Sequence, residues 1–235
     1  MLGNYVAFHT GELWPSATRC VDAMQKWPGS EEPNEAGFSL AHNTDIPMFD
    51  AIGRDPKRAL QMAAAMTFMH AGPSWSPQLL AEHFEWGDAA KGLMVDIGGA
   101  RGTVSTEIAR YLPEIQCIVQ DLPDVVQDAE VPDDLKSGER LRFMAHNFFD
   151  EQPVKGADVY LLRWILHDWS DKYAVKILRN LIPALKKGAR VVISDLCLPP
   201  PCVLSPYKER TARYVNSVFP MTLRFSTLCH SFSSS

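Results

Sequence analysis

Between Val95 and Gly102 the chain reads VDIGGARG, and this octapeptide restricts the fold more than any other segment. A short apolar run from Gly92 to Ile97 enters three glycines. Thr103 to Leu112 then places Val104, Ile108 and Leu112 on one helical face. Glycine permits the tight turn and lets a ligand lie against the backbone, and a helix amino end favours a carboxylate or phosphate. The same alternation continues. Ile115–Val119, Leu141–Ala145, Ala157–Leu162 and Arg190–Ser194 read as strands, with a helix over Asp171–Lys187 before the last. That helix is expected to bury Val175, Leu178, Leu181, Ile182 and Leu185, to kink at Pro183 and to be capped by Gly188. The expected class is α/β, a Rossmann-like, doubly wound and mostly parallel sheet with ligands at the carboxyl ends of its strands.

The first ninety residues differ in texture. Leu13, Ala17, Val21 and Met24 recur at helical spacing, and Trp27-Pro28-Gly29 stops that segment. Gly29 to Gly37 is polar and reads as a linker, and Pro56 to His70 reads as a second helix. Its Met62, Met66 and Met69 read as core or as the wall of an aromatic pocket. The expected organisation is a helical substrate or lid segment over 1–90, a cofactor-binding catalytic domain over 91–200 and an atypical Ser-rich tail over 201–235.

Composition narrows the classes. With 235 residues, 46% of them hydrophobic and 22% charged, the chain is neither disordered nor fibrous. No apolar run is long enough to span a bilayer, so no membrane partner is expected. A net charge of −5 argues against a nucleic-acid partner. The five cysteines, at 20, 117, 197, 202 and 229, match no disulfide framework, and Cys197 and Cys202 have no neighbouring pair to complete a metal site. The amino terminus lacks a secretory layout, so a reducing cytoplasm is expected.

Two further features carry chemistry. Asp121 stands 25 residues after Asp96 at the end of the second strand, where a carboxylate can accept hydrogen bonds from both hydroxyls of a ribose. The glycine spacing is G-G-x-x-G, which departs from the dinucleotide fingerprint and disfavours a nicotinamide dehydrogenase. In LLRWILHDWSD, His167 falls just past the fourth strand. It reads either as a surface residue ahead of a helix capped by Ser170 or Asp171, or as a general base beside Asp195.

VDIGGARG, QDLPDVV at 120–126, HNFFDEQP at 146–153 and RWILHDWSDKYAVKIL at 163–178 together resemble one family. It is the S-adenosyl-L-methionine-dependent O-methyltransferases of the plant caffeate and isoflavone type, especially their fungal relatives in secondary metabolism. The resemblance implies that Gly98 and Gly99 hold the methionine part of the cofactor and that Asp121 takes the ribose hydroxyls. It places Asn147 and Phe148 at the adenine and Arg163 beside the cofactor. His167 is implied as the base and Asp195 as a carboxylate flanking it, with Glu209 a weaker match to a second flanking residue. The implied acceptor is a small hydroxylated aromatic metabolite, methylated by in-line displacement without a metal. Three departures stand out. Ala100 replaces a frequent glycine, which a turn tolerates at negative φ; Asn147 replaces a common Asp; and Asp195 is a methylene shorter than the usual Glu. The resemblance also implies a homodimer built on an amino-terminal domain that this chain is expected to lack. A carboxyl-terminal strand pair has no counterpart after Pro201, so an incomplete sheet edge and a weakly stable, poorly active chain are expected.

Overall fold

The computed structural model describes residues 2–70, 75–136, 139–195, 203 and 205–209. The chain divides into two compact units, one of Met1–Phe68, His167–Tyr173 and Asp195–Ser235, the other of Met69–Leu166 and Ala174–Ser194.

The first unit begins with α1 (Leu2–Phe8), a π-helical turn (His9–Leu13), α2 (Trp14–Thr18) and α3 (Cys20–Lys26). α4 (Gly37–Ala41), α5 (Met48–Gly53) and most of α6 (Pro56–His70) follow. The π turn and the non-helical Arg19, at φ −102° and ψ 4°, shift the angular phase of the helical surface. Phe8, Leu13 and Ala23 are therefore buried, whereas Val21 and Met24 are exposed. The predicted stripe through Leu13, Ala17, Val21 and Met24 assumed one unbroken helix, and that is corrected here. The methionines of α6 are half-buried, and Ala65 is the residue it buries fully. Buried Glu12 is held by Arg58 through two 2.7 Å hydrogen bonds, with His42 Nε2 at 3.4 Å.

The polar stretch after Gly29 is no loose linker. Within this unit the Glu31 carbonyl accepts from Ser170 Oγ at 3.0 Å. Glu32 accepts from Tyr173 Oη at 2.6 Å and pairs with Lys172 at 2.5 Å.

In the second unit α7 (Pro77–His83) and a 3₁₀ turn (Gly87–Lys91) lead into β1 (Leu93–Ile97) and α8 (Thr103–Tyr111). Then come β2 (Gln116–Asp121), α9 (Pro123–Val126), α10 (Asp133–Lys136), β3 (Leu141–Ala145) and β4 (Val159–Arg163). α11 (Asp171–Leu181), whose first turn belongs to the first unit, precedes β5 (Arg190–Ser194). The sheet order is β3-β2-β1-β4-β5, all parallel, with Val95 opposite Ile118 on one side and Tyr160 on the other. This is the expected doubly wound, Rossmann-like class. Central β1, β2 and β4 are buried along most of their length because both of their faces are covered, while β5 alternates between half-buried and exposed positions. Val191 and Ile193 of β5 are 37% and 49% exposed.

α11 departs from its predicted face and length. It ends at Leu181 and tightens into a 3₁₀ turn over Ile182–Ala184, because Pro183 cannot donate to the helical ladder. The buried positions are Ile177, Leu181 and Ala184, whereas Val175, Ile182 and Leu185 are exposed. Among the described residues no helix is long and apolar enough to cross a membrane.

Candidate active site

The glycine loop is fastened to the end of β2 from two directions. The Gly98 and Gly99 N–H groups both donate to the Gln120 carbonyl, at 2.8 and 3.0 Å, and Gly102 N–H donates to Gly99 at 2.9 Å. Next door, the Ala100 N–H donates to Asp121 Oδ2 at 2.9 Å and the Leu122 N–H to Asp121 Oδ1 at 2.8 Å. Each carboxylate oxygen keeps a second acceptor direction. Burial pushes the Asp121 carboxyl above its ordinary range, and the two N–H groups work against that shift. Two loop positions need glycine for different reasons. Gly98 has φ +71°, and a Cβ there would collide with Ile165 Cδ1 and lie 3.7 Å from the Phe148 ring. At Gly99 a Cβ would stand 2.6 Å from the Asp96 carboxylate and 2.8 Å from Val119 Cγ1. Gly99 thus permits close packing of the loop on β1 and β2.

Ala100 has φ +49°, in the left-handed region, so the condition of negative φ is not met. The hydrogen bond to Asp121 holds it there against a steric cost of about 1–2 kcal/mol. Beneath the loop Asp96 is 2% exposed and accepts from Ser105 Oγ at 2.6 Å. Burial pushes its carboxyl up to about 6, with Ser105 opposing and the Asp121 charge adding to the shift.

Sequence reading missed the device that supports Gln120. Its side-chain amide and that of Gln152 exchange two hydrogen bonds, at 2.9 and 2.8 Å, with both residues 1% exposed. Gln152 Oε1 also accepts from Val154 N–H at 3.0 Å. A buried polar pair satisfied in this way fixes one geometry. It ties the end of β2 to the segment carrying Asn147 and Phe148. Asn147 is exposed, and its Oδ1 accepts from Phe149 N–H at 3.0 Å, so its carbonyl serves an Asx turn and retains one acceptor direction.

Arg163 closes β4. Its Nη1 donates to Ser194 Oγ at 3.1 Å and its Nη2 to the Trp75 carbonyl at 2.5 Å. The following residue, Trp164, has φ +56° and packs edge-to-face on Trp75 at 5.3 Å, with the guanidinium 5.5 Å from its ring. A bulky side chain in this region marks stored backbone strain.

In the first unit His167 lies between two carboxylates. Asp195 is hydrogen-bonded to Nδ1, so its shorter side chain does reach the imidazole. Asp168 Oδ1 stands 3.3 Å from Nε2. All three side chains are largely buried, at 15%, 11% and 12% exposure for His167, Asp168 and Asp195. Burial alone would lower the imidazole pKa, but Asp168 and then Asp195 outweigh it and hold it at about 10. Asp168 was missed because neighbours in sequence seldom face each other in a helix. Here a tight 3₁₀ turn, Leu166–Asp168, brings them together.

Glu209 lies in a short helical turn, its N–H donating to the Ser205 carbonyl at 2.9 Å. Cys20 and Cys117 are free thiols, and burial pushes that of Cys117 up to about 12. Cys197, Cys202 and Cys229 lie outside the described residues, as does most of the segment after Pro201.

The O-methyltransferase domain model matches residues 28–203. This chain belongs to that family. The domain is 41% identical over 213 residues to O-methyltransferase kk1A of Curvularia clavata, covering 91% of this chain and 50% of that protein. It is 42% identical over 203 residues to the chlorophenol O-methyltransferase of Trichoderma longibrachiatum, covering 84% and 44% respectively. Among solved structures it is similar to that of LepI complexed with SAM, with TM-score 0.72 and 29% identity over 93% of this chain and 57% of that one. The O-methyltransferase domain described here thus spans about half the length of the curated relatives it matches.

Proposed function

We propose that this domain binds S-adenosyl-L-methionine on the β1–β2 side of its sheet and serves methyl transfer to a hydroxyl of a small aromatic secondary metabolite, in the reducing cytoplasm. The observation that carries the reading is the hydrogen bond between His167 Nδ1 and the Asp195 carboxylate, which accepts it and fixes the imidazole beside a buried acid. Such a base oriented by a carboxylate suits removal of a hydroxyl proton. Family membership and similarity to a chlorophenol O-methyltransferase support a phenolic acceptor.

The residues fit the cofactor. Asp121 offers two acceptor directions to a vicinal diol, and its flanking N–H bonds fix its orientation. Gly98 lets Ile165 pack against the loop beside Phe148, a ring suited to cover a purine. Arg163, anchored by Ser194 and Trp75, lends positive charge at the end of β4. When bound, the cofactor supplies a sulfonium methyl group that an oxygen nucleophile can take. Held near 10, the ring is protonated at neutral pH; once one proton has left the phenol–imidazolium pair to solvent, His167 shares the remaining proton with the phenol oxygen while Asp195 holds the ring. A phenol of pKa near 10 matches the imidazole, so the proton moves between oxygen and nitrogen at little cost.

Calorimetry with S-adenosyl-L-methionine, run beside transfer of a labelled methyl group to a panel of phenols including chlorophenols, tests the proposal. Binding with transfer is expected. Binding without transfer would assign this chain the lesser role of a cofactor-holding homologue, and absence of binding would overturn the reading.

A further inference from the structure

We propose that Gln152 and Asn180 are positioning residues for the cofactor. Through the buried Gln120–Gln152 amide pair and the link from Asn180 to Phe148, they set the segment carrying Asn147 and Phe148 against the glycine loop before any ligand arrives. This rests on the reading of that loop, Asp121 and Phe148 as the S-adenosyl-L-methionine site.

Gln120 serves both parts of the site at once. Its carbonyl accepts from the Gly98 and Gly99 N–H groups, at 2.8 and 3.0 Å, and the next residue is Asp121. Its side-chain amide exchanges two hydrogen bonds with that of Gln152, and its Nε2 also faces Met144 Sδ at 3.3 Å. The pair has one register. Val154 N–H donates to Gln152 Oε1 at 3.0 Å, which settles which end of that amide is oxygen and so settles Gln120 as well. Asn180 of α11 completes the frame. Its carbonyl accepts from Gln152 N–H at 3.0 Å, and its Nδ2 donates to the Phe148 carbonyl at 3.3 Å. Between these ties the Asn147 carbonyl accepts from Asp150 N–H at 2.9 Å, so the segment is closed on itself and held at both ends. Two apolar side chains would fill the same space, but their attraction has no direction and leaves the segments free to shift. The amides remove that freedom, because every buried donor and acceptor is satisfied in one arrangement only. A preset site matters to the cofactor, since a ligand that must order a loop on arrival binds more weakly.

The test is a chain carrying both Gln120→Met and Gln152→Met, which keeps the buried volume and leaves neither amide without the other. Its urea midpoint should stay near that of the unmodified chain, while calorimetry should show S-adenosyl-L-methionine binding weakened by roughly tenfold. Amide hydrogen exchange without cofactor should quicken together at Gly98, Gly99 and Gln152. Asn180→Ala, a change that a helix accepts readily, is the second variant and should weaken binding by roughly threefold. Full affinity in the folded double variant, or exchange that quickens at one segment alone or at neither, overturns the proposal. If the double variant does not fold, unchanged affinity in Asn180→Ala overturns it in the same way. Absence of binding by the unmodified chain would instead overturn the proposed function, and the exchange rates would still decide whether the two segments are coupled.

Discussion

Asp195, the residue that follows β5, grips Nδ1 of His167, which follows β4 in the chain, and so fixes the ring with Nε2 turned to Asp168. His167→Ala should lower turnover on a phenol by about 10² to 10⁴ and leave S-adenosyl-L-methionine binding nearly intact. Asp195→Asn loses a charge-assisted hydrogen bond of about 1.5–3 kcal/mol and should cost at least tenfold. With the imidazole held near 10, the rate on a weakly acidic phenol should climb from pH 7 towards 9, since one proton must leave the pair before transfer. Chlorophenols already ionised at neutral pH should show a flatter profile. A steady-state pH series comparing the two acceptor types decides this, and identical profiles would remove His167 from the proton path.

Asp121 bears on the cofactor alone. Asp121→Ala removes a charged acceptor and should weaken S-adenosyl-L-methionine binding at least roughly tenfold by calorimetry. Because the carboxylate also receives the Ala100 and Leu122 N–H groups, Asp121→Asn is the control that keeps part of the loop's anchoring. Unchanged affinity in a folded Asp121→Ala variant would remove the ribose assignment.

Ala100 carries a cost that glycine would avoid. At φ +49° the substitution Ala100→Gly relieves about 1–2 kcal/mol of crowding and gives back about 0.5–1 kcal/mol as chain entropy. A small rise in melting temperature is expected, with cofactor affinity retained. A loss of more than about 1 kcal/mol in denaturant unfolding would mean that the methyl group packs usefully.

Asp96 predicts how stability depends on pH. Its folded pKa, about 6, lies above the unfolded value near 3.9, so between those values the native state binds the extra proton. Stability from this group is fully present below about pH 4 and is lost as pH rises through 6, by on the order of 1–3 kcal/mol. Asp96→Asn should flatten that slope and be the more stable chain at pH 7.5. Urea unfolding of both proteins at pH 4.5 and 7.5 provides the comparison, and parallel shifts would show that another group is responsible.

Strand–helix alternation and the VDIGGARG turn were enough to read the parallel sheet and all five strands to within a residue or two, because periodicity and glycine chemistry are local properties. The strand-end positions of Asp121 and Asp195, and that of His167 just past β4, were legible for the same reason. What lay beyond the sequence was every relationship set by packing in three dimensions. The Gln120–Gln152 amide pair joins residues on separate segments, and nothing local marks either glutamine as buried. Glu31 and Glu32 looked like solvated linker residues until the fold brought them to Ser170, Lys172 and Tyr173. Ile182 and Leu185 followed a helical period that Pro183 interrupts, so their exposure depended on where the backbone changed pitch, while Val175 lies on the exposed side of α11. The state of His167 was decided in the same way. An isolated histidine titrates near neutrality, and only the tertiary fold, by setting two buried carboxylates against its two nitrogens, raises it to about 10.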